Sequence, residues 1–161
     1  MRFGVRLGID VGEARVGLAK SDPMGILASP IATLPRDHEE STDISSIIKH
    51  AEELYVMEII VGLPKLLSGK EGISANLAEN YAKLLSDRLP KISVRLFDER
   101  LSTVRAHSTL RANGLKTAKH RKIIDQVAAV DILQNALDTE RNTGRIPGEE
   151  VPGKSGRKEK S

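Results

Sequence analysis

The residues with chemistry in them are carboxylates that close apolar runs. Asp10 ends the run Leu7-Gly8-Ile9 and is followed by the glycine-bearing turn Val11-Gly12-Glu13-Ala14, while Asp98-Glu99 ends the run from Ser93 to Phe97. A carboxylate leaving a buried strand is costly unless something cationic meets it. Two of them at one sheet edge repel unless a divalent ion lies between. The alternative for Asp10 is an aspartate that only hydrogen-bonds the amides of its own turn. A third oxygen ligand could come from the last predicted helix, which carries Asp125, Asp131 and Asp138. Helical spacing puts Asp125 with Ala128, Ala129, Ile132 and Ala136, a face of small apolar residues, and puts Asp131 with Gln134, Asn135 and Asp138 on a solvated stripe. Asp125 is therefore the carboxylate aimed at the core, where it needs a metal or a basic partner such as Arg15.

The chain has 0 Cys, so thiolate nucleophiles and sulfur-ligated zinc are excluded, and an all-oxygen site points to Mg2+ or Mn2+. The chemistry that fits is in-line attack of ion-activated water on a phosphodiester. No Ser-His-Asp or Cys-His arrangement competes, and the 4 His lack metal-ligand spacing, which leaves them as surface or phosphate-contacting groups.

The net charge is only +3, but its placement is uneven. From Arg100 to Lys122 there are seven Lys/Arg and no Asp or Glu, so this segment carries +7 and the rest −4. A single-sign field so concentrated favours a polyanion over a merely solvated helix face. With 2 Phe, 2 Tyr and 0 Trp, backbone or shape recognition is a better source of affinity than base stacking. The candidate phosphate contacts are Arg15 on the opening hairpin, Lys65 in the loop after Gly62, and Arg100, Ser102, Thr103, Arg105, Arg111, Lys119, Arg121 and Lys122 in and around the acid-free run.

These residues must be positioned by a mixed sheet. Leu7 to Ala19 reads as a β-hairpin, and Ile26 to Leu34 as a third strand that Pro30 confines to an edge. Ser41-Thr42-Asp43 is expected to cap a helix with Ile44, Ile47, Ile48, Ala51, Leu54 and Tyr55 at helical spacing. Glu58 to Gly62 is a strand buried on both faces, Ser74 to Leu89 a helix, and Ser93 to Phe97 the last strand. Helices from about 102 to 112 and from about 119 to 139 follow. The loop from Pro64 to Gly72 is not a P-loop, because six residues separate Gly62 from Gly69 and Glu71 stands where Ser or Thr would reach magnesium. The order predicts five strands, the second antiparallel, with helices on both faces and ligands at the carboxyl ends of the parallel strands. Residues 1–139 form one domain and 140–161 a disordered polar tail. Nothing approaches a membrane span and the N-terminus lacks the sections of a signal peptide, so a cytoplasmic location is expected.

Four motifs together resemble the YqgF family, also called RuvX, the Holliday junction resolvase or pre-16S rRNA nuclease group with an RNase H-like fold. They are Gly8-Ile9-Asp10-Val11-Gly12 with Arg15-Val16-Gly17-Leu18-Ala19 and Ser21-Asp22-Pro23; Val61-Gly62-Leu63-Pro64; Asp98-Glu99-Arg100-Leu101-Ser102-Thr103; and Asp125-Gln126-Val127-Ala128-Ala129-Val130 with Ile132-Leu133-Gln134. The resemblance implies a nuclease processing the 5′ end of pre-16S rRNA, with a metal-dependent site at Asp10, Glu99 and Asp125, and branched DNA as the other substrate. Its partners would be structured RNA and, alternatively, branched DNA, bound by a monomer or weak homodimer. RuvC-type resolvases carry a catalytic acid at the end of the fourth strand, where this sequence has Gly62; Asp98-Glu99 would have to substitute. Two other readings share these features. The actin-like and sugar-kinase ATPases open with a similar Asp-x-Gly hairpin but close two lobes over the nucleotide, and a non-catalytic RNA-binding factor could use the basic segment alone.

Overall fold

Alternation along Arg15–Ser21 buries Val16 and Leu18 on one face and leaves Gly17 and Ala19 to the other, which is what a strand covered on both sides requires. The computed structural model describes residues 1–64, 72–99 and 118–152, with the backbone alone at 118–122. The elements in chain order are β1 (Arg6–Val11), β2 (Arg15–Ser21), β3 (Ala28–Pro35), α1 (Thr42–Glu53), β4 (Glu58–Leu63), α2 (Ile73–Arg88), β5 (Ser93–Asp98), α3 (Ala118–Thr143) and β6 (Glu149–Glu150). They build a sheet in the order β3-β2-β1-β4-β5-β6. β2 is antiparallel to both β1 and β3, whereas β1, β4 and β5 run parallel through helical crossovers. Pro30 lies on edge strand β3, beside a register shift between Leu18 and Ala19 that absorbs its missing N–H.

The two faces have different covers. Leu7, Ile9, Val16, Leu18, Ile59 and Val61 pack against Ile44, Ile47, Ala78 and Tyr81 of α1 and α2. On the other face Ala19, Ile60 and Phe97 pack against Ala129, Ile132, Leu133 and Ala136 of α3. β4 is buried along its whole length, as its run of β-branched residues predicts for a central parallel strand.

The sheet has six strands, not five, and the polar tail is not disordered from residue 140. Helix α3 continues to Thr143, and the chain then folds back so that β6 pairs antiparallel with β5. Three contacts hold it there. Val151 is 3% exposed and its N–H donates to the Val94 carbonyl at 2.8 Å. Arg95 donates from Nε to the Pro147 carbonyl and from Nη2 to that of Gly148 at 2.6 and 2.5 Å. The turn needs φ 77° at Gly148, a conformation only glycine adopts without strain. A segment without apolar periodicity is thus ordered by one buried valine and by the backbone of an otherwise open strand edge.

The start of α1 also differs from expectation. Ser41 stands in the left-handed region and makes no side-chain cap. Asp37 does the capping: its carboxylate accepts from the N–H groups of Glu39 and Glu40 at 3.1 Å each and from Oγ1 of Thr42 at 2.8 Å. The Glu40 N–H foremost, then Thr42, hold the Asp37 carboxyl at about 2. Asp43, free of that duty, is buried and accepts the Tyr81 hydroxyl at 2.7 Å. At the other end of α1, Tyr55 has φ 51° in a Schellman turn closed by Val56 N–H to Ala51 O at 3.0 Å. Its side chain is 89% exposed. Tyr55→Gly is expected to stabilise the protein by about 1 kcal/mol in chemical denaturation, since glycine alone takes this backbone freely.

Candidate active site

Strand parity brings the carboxylates together. A Cβ on Gly8 would meet Leu133 Cβ at 2.6 Å and the Ala129 carbonyl oxygen at 2.9 Å, so this side of β1 faces α3, and Asp10, two residues on, shares it. The register partner of Asp10 is Gly17, where a Cβ would run into the backbone of Asp125. Two glycines therefore let α3 lie directly on the hairpin, with Asp125 above the Asp10–Gly17 pair. On β5, Phe97 is buried on the same face, and Glu99 follows it at the same parity. Asp98 has the opposite parity: its register partner is Leu63, which belongs to the α1/α2 core.

Gly62 supplies the space between. Ile9 pairs with Val61 and Gly62 with Phe97, so Gly62 lies level with Asp10 between β1 and β5. The two outer strands are about 10 Å apart, two strand spacings, and side chains from both can lean over bare backbone. A Cβ on Gly62 would stand 2.9 Å from Glu99 Oε2 and 2.5 Å from Ile132 Cδ1. The position that lacks an acid is the one over which Glu99 reaches. Glu99 can move aside, but Ile132, whose Cγ1 also stands 3.1 Å away, is a 2%-exposed core side chain, so Gly62→Ala is expected to cost about 1–3 kcal/mol in stability. It should also lower the rate of phosphodiester cleavage at least about 10-fold by displacing Glu99. A thermal melt and a single-turnover assay on the same preparation check both halves.

Arg15, the first residue of β2, shares the face of Gly17 and donates from Nε to Asp125 Oδ2 at 2.6 Å. The side chains are 30% and 13% exposed, respectively. The basic partner expected as the alternative for Asp125 is thus present, and it is one of the candidate phosphate contacts. Among the described residues no three Asp, Glu or His side chains stand close enough together to enclose an ion. The donors suit a hard divalent cation by chemistry and by face, but Asp125 is turned to Arg15.

Three positioning residues had no signal in spacing. Arg36 donates from Nη1 to the Gly12 carbonyl at 2.9 Å and lies 4.8 Å over the Tyr81 ring, fastening the turn after Asp10 to α2. Gln134, expected on a solvated stripe, instead accepts the Ala28 N–H at 2.8 Å and donates to the Ile26 carbonyl at 2.9 Å, latching α3 to β3. Gln126 donates to Thr33 Oγ1 at 3.2 Å nearer the site. Asp131 is half-buried and burial raises its carboxyl. Lys65, Arg100, Ser102, Thr103, Arg105 and Arg111, with the helix expected near 102–112, lie outside the described residues. Lys119, Arg121 and Lys122 fall in the first turn of α3, of which the backbone alone is described.

This sheet order, with a long helix laid on the Asp10 face, defines an RNase H-like α/β fold of the RuvC kind. A structure of Thermus thermophilus RuvC aligns with TM-score 0.56 at 10% identity, covering 91% of this chain and 99% of that one. A second, of T. thermophilus RuvC in complex with Holliday junction substrate, gives 0.54 at 14%, covering 92% and 99%. The family model described as RuvX, Holliday junction resolvase, matches residues 4–139. Among curated relatives, a protein of Clavibacter sepedonicus named "Putative pre-16S rRNA nuclease" is 52% identical over 152 residues, 94% of each chain. One of the same name from Kineococcus radiotolerans is 49% identical over 158 residues, 98% of this chain and 84% of the relative. The chain belongs to the RuvX family, a family of nucleases and hence of hydrolases acting on phosphodiester bonds. That membership decides against the ATPase reading of the opening hairpin.

Proposed function

We propose that this protein is a divalent-metal-dependent nuclease that processes the 5′ end of pre-16S rRNA, with Asp10, Glu99 and Asp125 as its catalytic acids. The observation that supports the site is that these three residues lie on the α3 face of the sheet, Asp125 over the Asp10–Gly17 pair and Glu99 against Gly62. The substrate is carried by the name shared by relatives at about half identity over nearly the full chain. When bound, Mg2+ or Mn2+ would supply the positive charge that activates water and stabilises the departing oxygen. Asp10, Glu99 and Asp125 would hold it, and the parity that puts Glu99 on the face of Asp10 favours Glu99 over Asp98. Arg15 and the acid-free run from Arg100 to Lys122 bind the phosphates on either side of the scissile bond. Among the described residues no helix is long and apolar enough to cross a membrane, in keeping with work on a cytoplasmic RNA.

Branched DNA is the second reading, favoured by the family model's own description. A side-by-side assay on precursor-like RNA and a four-way DNA junction separates the two. Cleavage of the RNA in Mn2+ but not in EDTA is expected; cleavage of the junction alone would transfer the activity to DNA. Binding of either without cleavage in any divalent ion would leave a non-catalytic binding factor. Arg105→Ala, Arg111→Ala and Lys119→Ala are each expected to weaken binding and to reduce the slope of log K against log salt by about 0.7–0.9. An unchanged slope would mean that this run is only solvated.

A further inference from the structure

We propose that Arg15 is an internal stand-in for the divalent ion: it holds Asp125 while the site is empty, and the arriving ion turns its guanidinium outward to the phosphate. This rests on the metal-dependent reading above. At 2.6 Å the Arg15–Asp125 bond is a short charge-assisted one, made to a carboxylate whose side chain is 13% exposed. An anion so placed needs a cation in the folded protein whether or not metal is present, and Arg15 is positioned to supply it. A guanidinium on Oδ2 and a divalent ion on the same carboxylate repel each other and compete for its charge, so each weakens the other's hold. The two partners also differ in their freedom to leave. Arg15 is 30% exposed at the mouth of the opening hairpin, so it can swing into solvent without orphaning a buried charge, whereas Asp125 is fixed by the packing of α3 on Gly17.

Two consequences follow from one competition. In the absence of nucleic acid Arg15 lowers the affinity for metal. In its presence the freed guanidinium gains a phosphate, so metal and nucleic acid each tighten the other's binding.

The test is an Mn2+ titration followed by electron paramagnetic resonance on the full-length protein without nucleic acid, for wild type, Arg15→Gln, Arg15→Lys and Asp10→Asn. Arg15→Gln should bind Mn2+ about 10-fold more tightly than wild type. Its melting temperature should also rise more on adding Mn2+, since the ion then relieves an uncompensated carboxylate. Arg15→Lys, which keeps the charge, should stay within about twofold of wild type. Equal or weaker Mn2+ binding by Arg15→Gln overturns the proposal, as does an Arg15→Lys protein that behaves like Arg15→Gln. If wild type saturates with Mn2+ and Asp10→Asn does not, the metal site stands whatever Arg15 does. If those two titrate alike, the metal site itself falls and the role of Arg15 with it.

Discussion

Asp10→Asn should abolish cleavage, by at least about 10³-fold, equivalent to about 4 kcal/mol of barrier, while nucleic-acid binding measured in EDTA, where no ion couples to it, stays within about twofold of wild type. The amide has the shape of the carboxylate but not its charge, and it is a poor ligand for a hard divalent cation. Binding should survive because the contacts proposed to carry it are cationic and lie elsewhere, in Arg15 and the run from Arg100 to Lys122. Asp10 shares its face of the sheet with Asp125 and Glu99, so removing one negative charge lowers the repulsion among the three, and a melt on the same preparation separates a loss of chemistry from a loss of fold. Single-turnover cleavage, fluorescence anisotropy and a thermal melt on one preparation make the comparison. A variant that still cuts at more than about a tenth of the wild-type rate would remove Asp10 from the catalytic group.

The second large effect belongs to the opposite end of the sheet. Glu140, 4% exposed near the end of α3, meets Arg6, 1% exposed, at 3.3 Å and receives Arg2 Nη2 at 2.8 Å. Arg2 forks across to Glu58, 1% exposed, at 3.0 and 3.1 Å, so four charges close a buried network between β1, β4 and α3. Glu140→Ala removes the one carboxylate that Arg6 meets among the described residues and should cost about 3–5 kcal/mol, a large share of a domain's total stability. Urea denaturation measures it. A loss under about 1 kcal/mol would mean that the backbone carbonyls of Gly4 and Arg2, which Arg6 also reaches at 2.8 and 2.9 Å, suffice for it. The same network is sensitive to acid. Burial alone would raise the Glu140 carboxyl, but the side-chain and backbone hydrogen bonds from Arg2 and the charges of Arg2 and Arg6 outweigh it and hold it at about 2, below its usual 4.5. A depressed carboxyl stabilises the fold fully above its unfolded value and loses that contribution as pH falls. Some 3 kcal/mol should therefore disappear between about pH 4.5 and pH 2 in wild type, and not in Glu140→Gln.

Local pattern carried much of the fold. The hairpin, the buried β4 and the amphipathic α1 and α2 follow from alternation, β-branched content and helical spacing, which are properties of neighbouring residues. The start of α1 did not follow. Ser41-Thr42-Asp43 has the composition of a cap, yet Asp37, four residues earlier, wraps the turn, because Asp43 is claimed by Tyr81 from another helix. β6 was hidden for a related reason. Two exposed glutamates and one valine carry no periodicity, and their order comes from the edge of β5.

The candidate site divides the same way. By itself the sequence determined which residues could act: carboxylates where Asp10 and Glu99 leave their strands, and Asp125 on the small-residue face of a helix. It also left Arg15 open both as a phosphate contact and as a partner for Asp125, since residues 110 positions apart give no local sign of meeting. Tertiary structure alone decided that they meet, that Glu99 and not Asp98 shares a face with Asp10, and that Gly62 is the space over which Glu99 reaches. Each of these depends on strand register and on how closely α3 lies on the sheet, and a chain acquires both only when elements distant in sequence pack together.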